Sequence, residues 1–147
     1  MITVMRTAQI HVNEIYEIEK ESFPDPWSVS AISQEIADKH SVCFVALYNT
    51  RVVGHVTMRH IINEGHISNI AVAKKDQRMG VGSLLLSALI DEAIKMEMIG
   101  VTLEVRQSNT AAIKLYQNHD FVEEGRRKNY YQSPTEDALI MWRYIYE

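Results

Sequence analysis

The chain has 147 residues, 46% of them hydrophobic, enough for one domain whose core needs no disulfide or metal staple. A net charge of −4 and a pI near 5.9 speak against nucleic acid as the partner, which asks for a basic excess. The single cysteine, Cys43, excludes an internal disulfide; no signal peptide and no apolar run of membrane-spanning length is visible, so a cytoplasmic protein without a membrane partner is expected.

Residues 2–6 alternate as a short strand, and residues 9–22 carry Ile10, Ile15 and Ile18 at helical spacing. Pro24 and Pro26 make a loop, after which Ser28 caps a helix over about 29–38. Residues 42–48 and 51–62 read as strands joined through Asn49, Thr50 and Arg51, and residues 65–73 as a third strand. Cys43 lies inside the first of these and reads as core. A charged stretch, Lys74 to Arg78, then leads through Gly80, Val81 and Gly82 into the strongest helix, about 82–98. Ser83, Ser87, Asp91 and Lys95 mark one face of it, and Leu84, Leu85, Ala88, Leu89 and Ile94 the opposite, apolar face.

Gly100 precedes a strand over 101–105. Ser108 or Asn109 caps a helix over about 110–118, and strands near 121–130 and 136–146 close the chain. The hairpins require antiparallel pairing, whereas the strand–helix–strand unit at 65–105 requires a parallel pair. An α/β fold follows, with a mixed sheet and helices on its faces, in a single domain over residues 1–147.

Gln77-Arg78-Met79-Gly80-Val81-Gly82 sits between a strand and a long helix. The first turn of a helix offers free N–H groups and a partial positive charge, and glycines let an anion come close. The loop is therefore a candidate diphosphate cradle. A Walker loop needs Lys and Ser or Thr after the last glycine, and Ser83-Leu84 fails that test. A dinucleotide fingerprint needs a small residue where Leu85 stands, which weakens that reading, although Glu104 falls near the place of a ribose-binding acid. A third alternative is the Gln/Arg-x-x-Gly-x-Gly/Ala loop that binds acyl-coenzyme A, matched in full.

Other segments resemble the same family. Asn69-Ile70-Ala71-Val72 stands before the loop, and Leu103-Glu104-Val105-Arg106 is followed by the run from Ser108 to Tyr116. By these pieces the chain resembles the GNAT N-acetyltransferases. Phe23-Pro24-Asp25-Pro26-Trp27-Ser28, Arg127-Lys128-Asn129-Tyr130-Tyr131 and Glu136-Asp137-Ala138-Leu139-Ile140-Met141 look like the family's RimI-type branch, which acetylates the N-terminal alanine of a ribosomal protein. The resemblance implies the acyl-CoA N-acyltransferase fold, a mostly antiparallel sheet of about seven strands with helices on both faces. It implies acetyl-CoA as cosubstrate and no metal, and a protein N-terminus, that of a small-subunit ribosomal protein, as partner for a monomer or weak homodimer. It gives Ile70, Ala71 and Val72 to the pantetheine arm. Gln77, Arg78, Met79, Gly80, Val81, Gly82 and Ser83 go to the diphosphate, and Asn109 and Tyr116 to further coenzyme contact. It makes Glu104 the general base and Tyr116 the general acid. One departure is Asn118-His119-Asp120-Phe121 where the family often has Gly-Phe; Asp tolerates the left-handed backbone such a turn needs.

The chemistry is consistent with those roles. An amine attacks a thioester only when neutral, which at pH 7 costs roughly 1.4 kcal/mol for an α-amine and about 4.6 for lysine. Glu104 shares a strand face with Thr102, opposite Val101, Leu103 and Val105, and apolar neighbours are expected to raise its pKa. Tyr116 shares a helical face with Ala112 and Ile113, as a core tyrosine or as the proton donor to the coenzyme A thiolate. Backbone N–H groups near Val72 polarise the thioester carbonyl if the sheet leaves them free. Trp27, Tyr130 and Tyr131 are candidates for a peptide groove, and Asp25 or Glu136 for a positive charge on the substrate. The six histidines show no metal-ligand spacing and read as structural. Two rival readings stay open, a noncatalytic acyl-CoA-binding module and a nicotinamide-dinucleotide-binding fragment.

Overall fold

The computed structural model describes residues 1–145. Its elements run β1 Ile2–Arg6, α1 Val12–Ser22, α2 Val29–Ala37, β2 Ser41–Tyr48, β3 Arg51–Ile61 and β4 Glu64–Val72, then α3 Val81–Lys95, β5 Gly100–Arg106, α4 Thr110–Asn118, β6 Val122–Tyr131 and β7 Glu136–Tyr144. This is the expected order with shifted ends; residue 146 of the last expected strand lies outside the described residues. The expected caps form: Ser28 Oγ accepts from Ala31 N–H at 3.0 Å, and Asn109 Oδ1 from Ala112 N–H at 3.2 Å. Asp120 takes a positive φ of 68°, the left-handed turn expected after α4.

The first helix differs from expectation. A 3-10 turn occupies Gln9–His11, α1 starts at Val12, and Ile10 is 84% exposed. The buried stripe is Val12, Ile15, Ile18 and Glu19, since only residues inside the helix share its period. On α3 the buried face is Val81, Leu85, Leu86, Leu89, Ile90 and Ala93, whereas Leu84 and Ile94 face outward, 44% and 41% exposed. Four-residue steps drift around a helix of 3.6 residues per turn, and that drift misled the sequence-based face. Gly54 on β3 brings α3 close to the sheet. A Cβ there would stand 2.9 Å from Val81 Cγ1 and 3.2 Å from Leu85 Cδ1.

The seven strands form one sheet in the order β1-β2-β3-β4-β5-β7-β6. Every pair is antiparallel except β4 with β5. The two faces carry separate cores, because neighbouring residues of a strand point opposite ways. Val42 and Ala46 of β2 pack with α3, β5 and β7, while Val45 packs with α1 and α2.

Among the described residues β4 and β5 pair only at Glu64↔Gly100, Gly65↔Val101 and His66↔Thr102. Beyond that rung β4 stays with β3 as far as Gly54↔Val72, and β5 stays with β7 as far as Arg106↔Ala138. The sheet therefore opens as a wedge between the C-terminal halves of its two parallel strands. A bulge between Thr57 and Met58 shifts the β3–β4 register at the point where β4 leaves β5.

Candidate active site

The head of the wedge is the start of α3. Gly80 is its N-cap at φ +79°, with no side-chain cap, and Leu84 N–H is bonded to Gly80 O at 3.1 Å. The N–H groups of Val81, Gly82 and Ser83 therefore have no partner within the helix. A Cβ on Gly80 would meet no atom within 4 Å, so the space over this turn is open to a ligand. The loop carries Arg78 and Met79 exposed, and Gln77 Nε2 donates back to Val72 O at 3.3 Å. Ser83 Oγ lies 2.8 Å from His119 Nε2, and burial holds that imidazole below its ordinary pKa. His119 carried no sequence signal because it reaches α3 from the far end of α4.

One lip of the wedge is β4. Ala73 N–H donates to Val53 O at 2.9 Å, so Ala71 shares that orientation and Ile70 and Val72 direct their main-chain groups away from β3. No β5 residue is paired with them, and they face the gap.

The other lip is β5. Val101, Leu103 and Val105 are buried and Glu104 emerges on the opposite face, as the alternation predicts. Its side chain is 14% exposed, with His66 Nε2 3.0 Å from Oε2 and 3.2 Å from Oε1, and Tyr130 Oη donating to Oε1 at 3.3 Å. The expected rise in its pKa is not found. The hydrogen bond from His66 outweighs desolvation, and with Tyr130 and Arg127 it holds the carboxyl below the usual range. His66, read from sequence as structural, is thus the nearest partner of the candidate base. Both strands were foreseen; the register that sets one residue against the other was not.

Tyr116 is buried on α4 against Phe121, ring centroids 5.7 Å apart. Burial, with Tyr131 adding to it, raises the phenol well above its ordinary value. Tyr131 is itself pushed up to about 12 by burial, Tyr130 and Glu104, and its ring lies 5.1 Å from that of Tyr130. Tyr131 is thus joined through Tyr130 to Glu104. Arg106 covers the Tyr131 ring at 4.5 Å and donates to Gln132 O, Pro134 O and Glu136 Oε1, tying the β6–β7 turn to β5. Glu136, a candidate for a substrate's positive charge, is committed to Arg106 and to Ser108 N–H at 2.7 Å.

Trp27 stands apart from this group. It packs on the α1–α2 core and lines a small cavity with Glu35, Cys43 and His55. Cys43 is buried, which pushes its thiol up and leaves it a poor nucleophile. Asn109 spends its carbonyl oxygen on the α4 cap. Beneath β4, Glu19 is fully buried, bonded to His55 Nε2 at 2.8 Å and accepting from Asn69 Nδ2 at 2.9 Å. Glu19 follows Ile15 by one helical turn on the same face, the one sequence signal it gave. Among the described residues no cluster of His, Cys, Asp and Glu is placed to hold a metal ion, and no helix is long and apolar enough to cross a membrane.

Comparison with known proteins gives the family and the fold. The profile of the Acetyltransferase (GNAT) family matches residues 12–121. The chain is 36% identical, over 86% of both chains, to the [Ribosomal protein bS18]-alanine N-acetyltransferase of Escherichia coli (strain K12). The crystal structure of the ribosomal-protein-S18-alanine N-acetyltransferase from Escherichia coli superposes with a TM-score of 0.93 at 33% identity, covering 100% of this chain and 96% of that one. Ard1 from Thermoplasma volcanium superposes at 0.88 with 29% identity, covering 99% of each.

Proposed function

The chain belongs to the GNAT acetyltransferase family, and from that premise we propose that it transfers the acetyl group of acetyl-CoA to the N-terminal alanine of a ribosomal protein, with Glu104 as general base and Tyr116 as general acid. The observation that carries this reading is the parting of β4 from β5 after His66↔Thr102, with Glu104 on one lip and the Ile70 and Val72 N–H groups turned to the gap on the other.

The diphosphate binds the open N-terminus of α3, between Gln77 and Ser83, where unpaired N–H groups and the helix dipole favour an anion. The pantetheine arm then runs along Ile70, Ala71 and Val72 as an added strand, with Asn109 on its other side. Val72 N–H stabilises the oxyanion of the tetrahedral intermediate. Glu104, already ionised, removes a proton from the incoming ammonium, directly or through water. The neutral amine forms the C–N bond, the C–S bond breaks, Tyr116 donates its hydroxyl proton to the leaving thiolate, and the second proton shed by the nitrogen as it becomes an amide restores the tyrosine. One proton per turnover goes to solvent. Because burial raises Tyr116, it remains protonated throughout the neutral range but is a weaker acid than the coenzyme A thiol, so it acts mainly by hydrogen bonding to the sulfur as charge builds there. Tyr130 and Tyr131 wall the acceptor side, whereas Trp27 lies apart from them on the α1–α2 core. The depressed carboxylate is a modest base, suited to an α-amine, whose deprotonation at pH 7 costs about 1.4 kcal/mol. The reading takes residues 1–147 as a single acetyltransferase domain working in the cytoplasm, where ribosomal proteins are made.

The test is acetyl transfer from acetyl-CoA to a library of peptides differing at the N-terminus, with the acetylated atom located by mass spectrometry. Alanine-first peptides are expected to react at the α-amine. Acetylation confined to lysine side chains or small amines would reject the substrate, and acetyl-CoA binding without any transfer would reject the catalysis.

A further inference from the structure

The candidate base is held by a neighbour that lies outside the two residues assigned to proton transfer. His66 occupies the last rung joining β4 to β5, fixed by Arg59 of β3 on one side and Thr102 of β5 on the other. From there its imidazole reaches along β5, bringing Nε2 to 3.0 and 3.2 Å from the two oxygens of Glu104.

We propose that His66 is a positioning residue for acetyl transfer, donating Nε2–H to the Glu104 carboxylate and so fixing that carboxylate at the mouth of the wedge. The inference rests on the reading of Glu104 as the base. A glutamate has three side-chain torsions, and a mobile one spends much of its time away from its target. A ring anchored on a paired strand restrains it better than a flexible donor, because the last rung fixes its backbone on both sides. Tyr130 adds a second, longer contact at 3.3 Å from the exposed β6.

The charged and titratable groups around the carboxylate are His66 from β4 and Tyr130 and Arg127 from β6, with Tyr131 at the end of that strand. On the β7 side Glu104 meets Ile140, which is uncharged. Arg59, opposite His66, has its guanidinium bonded to Glu35 and Asp38 rather than to the imidazole. His66 is therefore the first of the groups that hold the carboxyl low, and its removal moves Glu104 back toward the ordinary carboxylate range.

The test measures kcat and both KM values across pH for His66→Ala and His66→Gln, with Glu104→Gln alongside. His66→Ala is expected to lower kcat roughly ten- to a hundredfold, the worth of a hydrogen bond to a charged group, with KM for acetyl-CoA within about twofold. The acid limb of kcat should move to higher pH. His66→Gln, whose amide can donate in the same direction, should recover most of kcat and return the limb toward its original place. A purely structural role would lower kcat without moving the limb. If His66→Ala does not fold, His66→Asn, too short to reach the carboxylate, makes the same comparison. An unmoved limb, or kcat within twofold of wild type, overturns the proposal. If Glu104→Gln is itself fully active, the base assignment fails first; if it is inactive while His66→Ala is normal, only the role of His66 fails.

Discussion

Glu19 and His55 share a hydrogen bond of 2.8 Å at a place that water does not reach, with 0% and 3% of their surfaces exposed. Asn69, one residue before the free segment of β4, completes the network from its own side chain. α1 is thereby fastened beneath the lip that receives the pantetheine arm. Removing one partner strands the other without water. Glu19→Ala is expected to cost about 3 kcal/mol in urea denaturation. The double replacement Glu19→Leu with His55→Phe should cost less than Glu19→Ala alone, since it leaves no orphaned polar group. Equal stability of Glu19→Ala and wild type would show that the network does not fasten the helix.

Two glycines serve different ends, and their alanine variants should separate them. Gly54→Ala drives a methyl into Val81 and Leu85, and should destabilise the fold by about 1–3 kcal/mol in thermal or urea unfolding. Gly80→Ala puts its methyl into open space at a positive φ, costing about 1–2 kcal/mol of backbone strain. Its larger effect should fall on acetyl-CoA, whose KM should rise at least tenfold because the turn that holds the diphosphate is displaced. An unchanged KM would move the diphosphate away from Gly80.

Glu104→Gln keeps the shape of the side chain and removes the base. kcat should fall by about 10²–10⁴, with coenzyme A affinity by calorimetry unchanged. Tyr116→Phe keeps the ring against Phe121 and removes only the hydroxyl. It should lower kcat at least tenfold with little loss of stability. Free thiol and acetylated peptide, assayed in parallel, should still appear in equal amounts. A normal rate in Tyr116→Phe would leave the tyrosine a packing role alone.

The pH dependence of stability follows from the depressed Glu104. A carboxyl whose folded pKa lies below its unfolded value stabilises the fold fully above the unfolded value. That contribution is lost as pH falls through the ordinary carboxylate range toward the lowered one. Urea midpoints measured from pH 7 down to pH 4 should therefore decline more steeply in wild type than in Glu104→Gln, which has nothing to titrate there. Parallel curves would show that His66 does not depress this carboxyl.

The chain alone determined most of the architecture. Period-two alternation marked the strands at 2–6 and 101–105, an apolar run and turn residues marked those between, Ser28 and the pair Ser108-Asn109 announced their helices, and the glycine loop stood out because a helix that starts with glycines exposes its N–H groups. These are short-range facts, decided by torsions and side-chain period within a few residues. The buried face of α3, the sign of the Glu104 shift and the partnership with His66 are of another kind. Each depends on which residues far apart in the chain are brought face to face, and a register cannot be computed from the alternation of either strand by itself. Only the folded sheet, parting after His66 and Thr102, put an imidazole beside the carboxylate and turned an expected rise in pKa into a fall.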